Sequence, residues 1–304
     1  MKKALLTISK IVVAVSVLGL VFYHVDPKQI WSYVKGIHPL QLLLAVVLIS
    51  MAQMAGAIRM RFILEQSGVH INKRYAIKLG YLGGFFNFLL PGGVGGDAIK
   101  IYFLKKNTEH GFLFLLRQLL ADRASGLYFL CLLAFALLVW IQPYLIWEWL
   151  RYVLLIGIIF VTAGYFLSTK LLLKQTYTAS VKAIPYSLFV QMFWVGAVVT
   201  LWASIGDGTH GVEYVLLYAL AGIASTIPIS VGGLGLREMT FLFGAQFLNT
   251  HAGLSINEEL GVAISLALYT ATVFSVLPGA IFWKEIKNHK VVDKLPMNSQ
   301  KLHP

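Results

Sequence analysis

Apolar residues fall along this chain in runs close to 20 residues long, separated by short polar stretches. A helix rises ~1.5 Å per residue, so a run of that length crosses the ~30 Å hydrocarbon core of a bilayer. The pattern predicts six full transmembrane helices, over 5–23, 39–58, 124–146, 152–168, 184–204 and 260–283. Two further apolar stretches, 77–104 and 212–248, are interrupted by glycine and proline. They predict helices that stop and turn within the membrane, as re-entrant or paired half-helix segments. The expected fold class is thus an all-α polytopic membrane protein. Residues 1–283 read as one integral membrane domain, and 284–304 as a short basic tail.

Charge sets the expected orientation. With the N-terminus in the cytoplasm, 22 of the 25 Lys and Arg residues fall on the inner side, and Lys28, Lys35 and Arg151 fall outside. Such a bias is the positive-inside pattern, and it puts both termini in the cytoplasm. Lys2 and Lys3 precede the first apolar run, but Phe22, Tyr23 and His24 follow it where a signal peptidase site needs small residues. The run therefore reads as an uncleaved first helix. With basic loops on both sides, 77–104 must enter and leave on the same face. The stretch 212–248 must descend from outside and return, turning near Gly232–Gly235.

Composition agrees. Of 304 residues, 58% are hydrophobic and 12% charged, against ~25% charged in soluble domains. Neither a soluble nor a disordered chain fits these values. The net charge of +12 reads as cytoplasmic loops facing anionic headgroups, not as nucleic-acid binding. Cys131 is the single cysteine, an apolar filler that excludes a disulfide framework.

The two broken stretches share a pattern. Pro91-Gly92-Gly93-Val94-Gly95-Gly96 and Pro228-Ile229-Ser230-Val231-Gly232-Gly233 both read P-x-x-V-G-G, 137 positions apart, with Lys100 and Arg237 at the same offset. Matching interruptions in two halves of a chain point to an inverted repeat with a binding site between the copies. The alternative is that both are helix-breaking turns that arose separately. Glycine lets other groups approach the backbone closely, and in a bilayer non-helical backbone must be sheltered by protein or water. Helix starts after such turns attract anions. Gly92, Gly93, Gly95, Gly96, Gly232, Gly233 and Gly235 with Lys100 and Arg237 therefore read as one cavity for a phosphate or other anionic headgroup. Close helix packing with snorkelling basic residues is the competing account.

Asp97 is expected to cap the following helix and to pair with a basic residue, with a proton or ion site as the sharper alternative. Glu238 beside Arg237 is open to the same readings. Asp122 and Arg123 are expected just before an apolar run, at the cytoplasmic mouth of the cavity; Arg59 and Arg61 are expected to set topology. No catalytic motif appears. The glycine run lacks the G-K-[ST] of a phosphate-binding loop, and G-x-G-x-x-G fails at Ala98. No H-E-x-x-H or G-x-S-x-G occurs, and no histidine stands at metal-ligand spacing. The expectation is a non-enzyme with no cofactor and no metal.

Asn87-Phe88-Leu89-Leu90-Pro91-Gly92-Gly93-Val94-Gly95-Gly96-Asp97 with Lys100, then Asp122-Arg123, then Pro228 to Glu238 resemble, in that order, motifs of the flippase-like membrane domain of lysylphosphatidylglycerol synthases. The resemblance runs from the second helix to the last. It implies a stand-alone inner-membrane domain of bacteria that moves or handles lipids, without the soluble aminoacyltransferase domain. Family members often carry Gly-Glu and Arg where this chain has Gly96-Asp97 and Lys100. The expected partners are membrane lipids. The expected function is transport of an anionic phospholipid or a polyprenyl-phosphate-linked lipid. Alternatives are a membrane-embedded lipid-modifying transferase and a non-transporting subunit of an envelope lipid or glycan enzyme complex. The expected headgroup site comprises Asn87, Pro91, Gly92, Gly93, Gly95, Gly96, Asp97, Lys100, Asp122, Arg123, Pro228, Gly232, Gly233, Gly235, Arg237 and Glu238.

Overall fold

A computed structural model describes residues 16–89, 95–141, 148–172, 177–206, 208–227 and 233–288. The described residues form helices α1 (16–24), α2 (Pro27–Gly36), α3 (Pro39–Gln66), α4 (Lys73–Leu89), α5 (Gly95–Asn107), α6 (Phe112–Ile141) and α7 (Leu150–Leu172). They continue as α8 (Tyr177–Lys182), α9 (Ile184–Ile205), α10 (Gly211–Ala224), α11 (Leu236–Ala252), α12 (Glu258–Val276) and α13 (Pro278–Asn288). Among the described residues there is no strand. This is a polytopic, all-α membrane protein. Among the described residues, five spans are long and apolar enough to cross a bilayer: α3, α6, α7, α9, and α12 continued into α13. The first predicted run is described only from residue 16.

Local signals set the helix starts. Asp26 accepts the Lys28 N–H at 2.9 Å ahead of α2, and Asn257 accepts the Leu260 N–H at 2.8 Å ahead of α12. Both side chains satisfy amides that a helix start leaves without partners. Pro39 and Pro278 open α3 and α13, where a missing N–H costs nothing.

Helix α12 is the axis of the bundle. Two thirds of its apolar window is buried (67%), against 28% or less for the other spans. It touches α2, α3, α4, α9, α11 and α13. Helices α3 and α9 pack along each other, α7 leans on α6, and both broken stretches form helical hairpins, α4 with α5 and α10 with α11.

Several boundaries differ from the sequence expectation. Helix α6 begins at Phe112, not 124, and α3 runs to Gln66, not 58. Both helices continue through charged residues, of which Arg59 and Asp122 are paired with each other inside the bundle. At 28 and 30 residues, α3 and α6 are ~42 and ~45 Å long, more than a bilayer core needs. The extra length carries the polar residues. At the other end, the helix passes Trp283 to Asn288. There Lys78 pairs with Glu285, and Ile286 is buried against α4.

Candidate functional site

Asp122 and Arg123 lie in α6, 10 and 11 residues after its start. Adjacent on a helix, they point to different neighbours. Arg59 of α3 donates from Nε to Asp122 at 2.7 Å and from Nη1 to the Ser187 hydroxyl of α9 at 3.0 Å. Arg123 pairs with Asp97 of α5. Gly126 makes room for the first contact, since a Cβ there would stand 3.3 Å from the Arg59 Nη1.

Asp97 owes its position to the α4–α5 crossing. Gly96 lies against the Gly83 carbonyl, leaving no space for a side chain at 96. Asn87 accepts the Gly96 N–H at 2.9 Å. The cap expected of Asp97 is therefore supplied by Asn87. Helix α5 starts at Gly95, so Asp97 already stands in the first turn. Its carboxylate lies 3.6 Å from the Lys100 ammonium one turn on, while the Lys100 stem lies over Gly83.

Of these residues Arg59, Asn87, Asp97, Lys100, Asp122 and Arg123 line a cavity of about 210 Å³ between α3, α4, α5, α6 and α9, with Ala52, Gly56, Val190 and Trp194 among its apolar lining. Arg59, Lys100 and Arg123 face it with Asp97 and Asp122, a net charge of +1; Gln53 and Asn87 add neutral polar groups. Buried ion pairs inside a membrane are weak evidence for stability, since desolvation offsets the attraction. They mark functional sites far more often. A half-enclosed cavity with a surplus cation suits an anion that can displace one of the fixed carboxylates.

Arg237 and Glu238 are not among the described residues lining this cavity; they form a second polar centre. Both sit at the start of α11, after a turn in which Gly233 and Gly235 have φ of 83° and 86°, values that favour glycine. Glu238 is fully buried. One carboxylate oxygen accepts the Gly235 N–H at 2.7 Å, the other the Ser265 hydroxyl at 2.9 Å. Arg237 runs back over Gly233 and is within electrostatic reach of the Tyr218 and Tyr269 phenols.

A polar chain links the two centres. Tyr218 donates to Gln191 at 3.3 Å, and Gln191 donates to the Gly126 carbonyl, also at 3.3 Å. Trp194, which lines the cavity, stacks on Tyr218. On the other flank Phe88, next to Asn87, packs edge-on against Tyr269. Of the P-x-x-V-G-G positions, Gly96 and Gly233 are described in both copies: Gly96 lies in the first turn of α5, whereas Gly233 lies in the turn before α11. Asp97 has Leu234 as its counterpart, one residue after the matched glycine.

Pro91, Gly92, Gly93, Pro228 and Gly232 lie outside the described residues. Asp122 and Arg123, expected just before an apolar run, line the cavity from within α6. Arg59, expected to set topology, is buried at the cavity wall. Its signal was legible: Met60, Ile63 and Leu64 continue the helical spacing past it. Gln53, Gln191, Trp194 and Tyr218 carried no motif and were missed.

The family model of the lysylphosphatidylglycerol synthase TM region matches residues 7–186. The match includes α3 to α6 and the whole charged cluster, and ends before the second glycine turn. No curated protein matches the chain.

Proposed function

This chain belongs to the family of the lysylphosphatidylglycerol synthase TM region, and we propose that it is a flippase-class carrier that moves an anionic phospholipid or a polyprenyl-phosphate-linked lipid across the bacterial inner membrane. One observation carries the reading: Lys100 and Arg123 converge on the single carboxylate of Asp97 inside a membrane-embedded cavity. Cations gathered in this way form a seat for a phosphoryl oxyanion.

The positive-inside pattern supports a cytoplasmic location for both termini. The contact between Arg59 and Asp122 puts the Gln66 end of α3 and the Phe112 end of α6 on one side. At ~1.5 Å per residue the charged cluster then lies ~10–15 Å along these helices from their cytoplasmic ends. A headgroup entering from the inner leaflet reaches it with its acyl chains still in lipid. The apolar wall at Val190 and Trp194 suits the portion next to the glycerol or prenyl carbons.

Reconstitution in vesicles with labelled lipids tests the proposal. Headgroups that change leaflet with no covalent change are the expected result. A chemically altered lipid would replace the carrier with a transferase. Neither movement nor modification, with an enzyme copurifying, would replace it with a subunit that positions a partner.

A further inference from the structure

A buried cation stands outside the cavity. Arg237 is 9% exposed, and among the described residues its guanidinium makes neither a hydrogen bond nor an ion pair. The hydroxyl of Tyr269, partly buried on α12, makes no hydrogen bond among the described residues either. The other polar groups of this centre are committed elsewhere. Glu238 directs its two oxygens to the Gly235 N–H and the Ser265 hydroxyl, and Tyr218 donates to Gln191. Both phenols, Tyr218 and Tyr269, lie within electrostatic reach of Arg237.

The backbone aims the Arg237 side chain. A Cβ at Gly233 would stand 3.4 Å from the Arg237 Cδ, so the stem folds back over the turn that opens α11, a helix of 17 residues. Free amides and the helix dipole favour negative charge at such a start. Taking a guanidinium out of water is costly unless an anion meets it, and a methionine would fill the same space without that cost. Packing alone therefore does not account for Arg237, and an ionisable group held inside a membrane marks a functional site. Its five N–H donors form a planar fork that matches two oxygens of one oxyanion, and the Tyr269 O–H is a further donor.

We infer that Arg237 and Tyr269, at the start of α11, form a second site for a phosphoryl oxyanion, separate from the cavity of Lys100 and Arg123. The inference goes beyond the carrier reading and does not depend on it. A lipid phosphodiester and free phosphate share the chemistry these donors recognise.

Calorimetric titration of the full-length protein tests this, with inorganic phosphate and dihexanoyl phosphatidylglycerol as separate probes. Lys100→Gln combined with Arg123→Gln removes two cations of the cavity and leaves Arg237 and Tyr269 intact. That double variant is expected still to bind one probe per chain. Adding Arg237→Gln should weaken this binding about 10- to 150-fold, and adding Tyr269→Phe about 2- to 10-fold. The probe that binds more tightly identifies the source of the phosphoryl group. Without probe, Arg237→Gln and Tyr269→Phe in the otherwise native chain should unfold at or above the native temperature, because neither group is hydrogen-bonded or ion-paired among the described residues. Binding that disappears in the folded double variant, or that survives Arg237→Gln unchanged, overturns the second site and leaves the carrier reading standing. So does a probe-free Arg237→Gln protein that unfolds early or fails to fold, since it assigns the guanidinium a structural role. Where the double variant fails to fold, the native chain decides: it should bind two phosphate ions and lose one of them in Arg237→Gln, and a single bound ion overturns the site. A native protein that binds neither probe overturns the carrier reading as well.

Discussion

Arg59 and Asp122, 63 positions apart, are joined at 2.7 Å with side chains 8% and 12% exposed. The pair ties α3 to α6, and Ser187 extends the tie to α9. Truncating one member leaves a buried charge without its partner, at a cost of about 3–5 kcal/mol. Arg59→Met and Asp122→Leu should each destabilise by that amount in detergent unfolding. The double variant should recover most of the loss, because an apolar pair removes the desolvation penalty too. A double variant no better than the worse single variant would count against the pairing.

The α4–α5 crossing predicts a sharp contrast between two glycines. Gly96 lies against the Gly83 carbonyl, whereas nothing lies within 4 Å of a side chain at Gly111. Gly96→Val should unfold the hairpin and abolish monodisperse protein. Gly111→Ala should leave stability within ~0.5 kcal/mol, the range for uninvolved surface positions. Size-exclusion profiles and thermal unfolding of the two variants check this.

If the cavity binds a phosphoryl group, Lys100→Gln and Arg123→Gln each remove a charged hydrogen bond worth ~1.5–3 kcal/mol. Lipid affinity should fall about 10- to 150-fold. Arg237→Gln, outside the cavity lining, should weaken binding less than either. Unchanged affinity in folded Lys100→Gln and Arg123→Gln protein would remove the cavity from consideration as the headgroup site.

The proposed orientation puts Ser255, between α11 and α12, outside and Ser299 inside. Single cysteines at these positions, in a background without Cys131, should be modified by an impermeant thiol reagent in intact cells only at position 255. Labelling at 299 but not at 255 would reverse the topology.

Hairpins were legible in the sequence because glycine and proline interrupt an apolar pattern in a way that ordinary helices do not. Charged residues were harder to place. Asp97 was recognised as a partner for a basic residue, and Lys100 one turn on and Arg123 of α6 are the residues it meets. Its pairing with Arg123, and that of Arg59 with Asp122, depends on how α3, α5 and α6 are set against one another, which no local pattern records. Helix ends moved for the same reason: a charge inside an apolar run reads as a boundary until a partner from another helix neutralises it. Gln191 and Tyr218 were invisible because a lone polar residue in an apolar helix has no signature of its own.

Glu238 offers a test that separates a structural carboxylate from a functional one. It is fully buried and accepts two hydrogen bonds, from the Gly235 N–H and from the Ser265 hydroxyl. Removing it with Glu238→Ala leaves both donors unsatisfied, at ~1–3 kcal/mol each. Glu238→Gln behaves differently. Its carbonyl oxygen can still accept the backbone N–H, and its amide can donate to Ser265, because a hydroxyl rotates to accept as readily as to donate. The helix cap then survives without its charge, and stability should fall by less than ~1.5 kcal/mol. As a cap only, Glu238→Gln should also transport lipid at close to the native rate while Glu238→Ala unfolds early. Native-like unfolding of Glu238→Gln with transport lost would show instead that the negative charge beside Arg237 acts in the transport cycle itself.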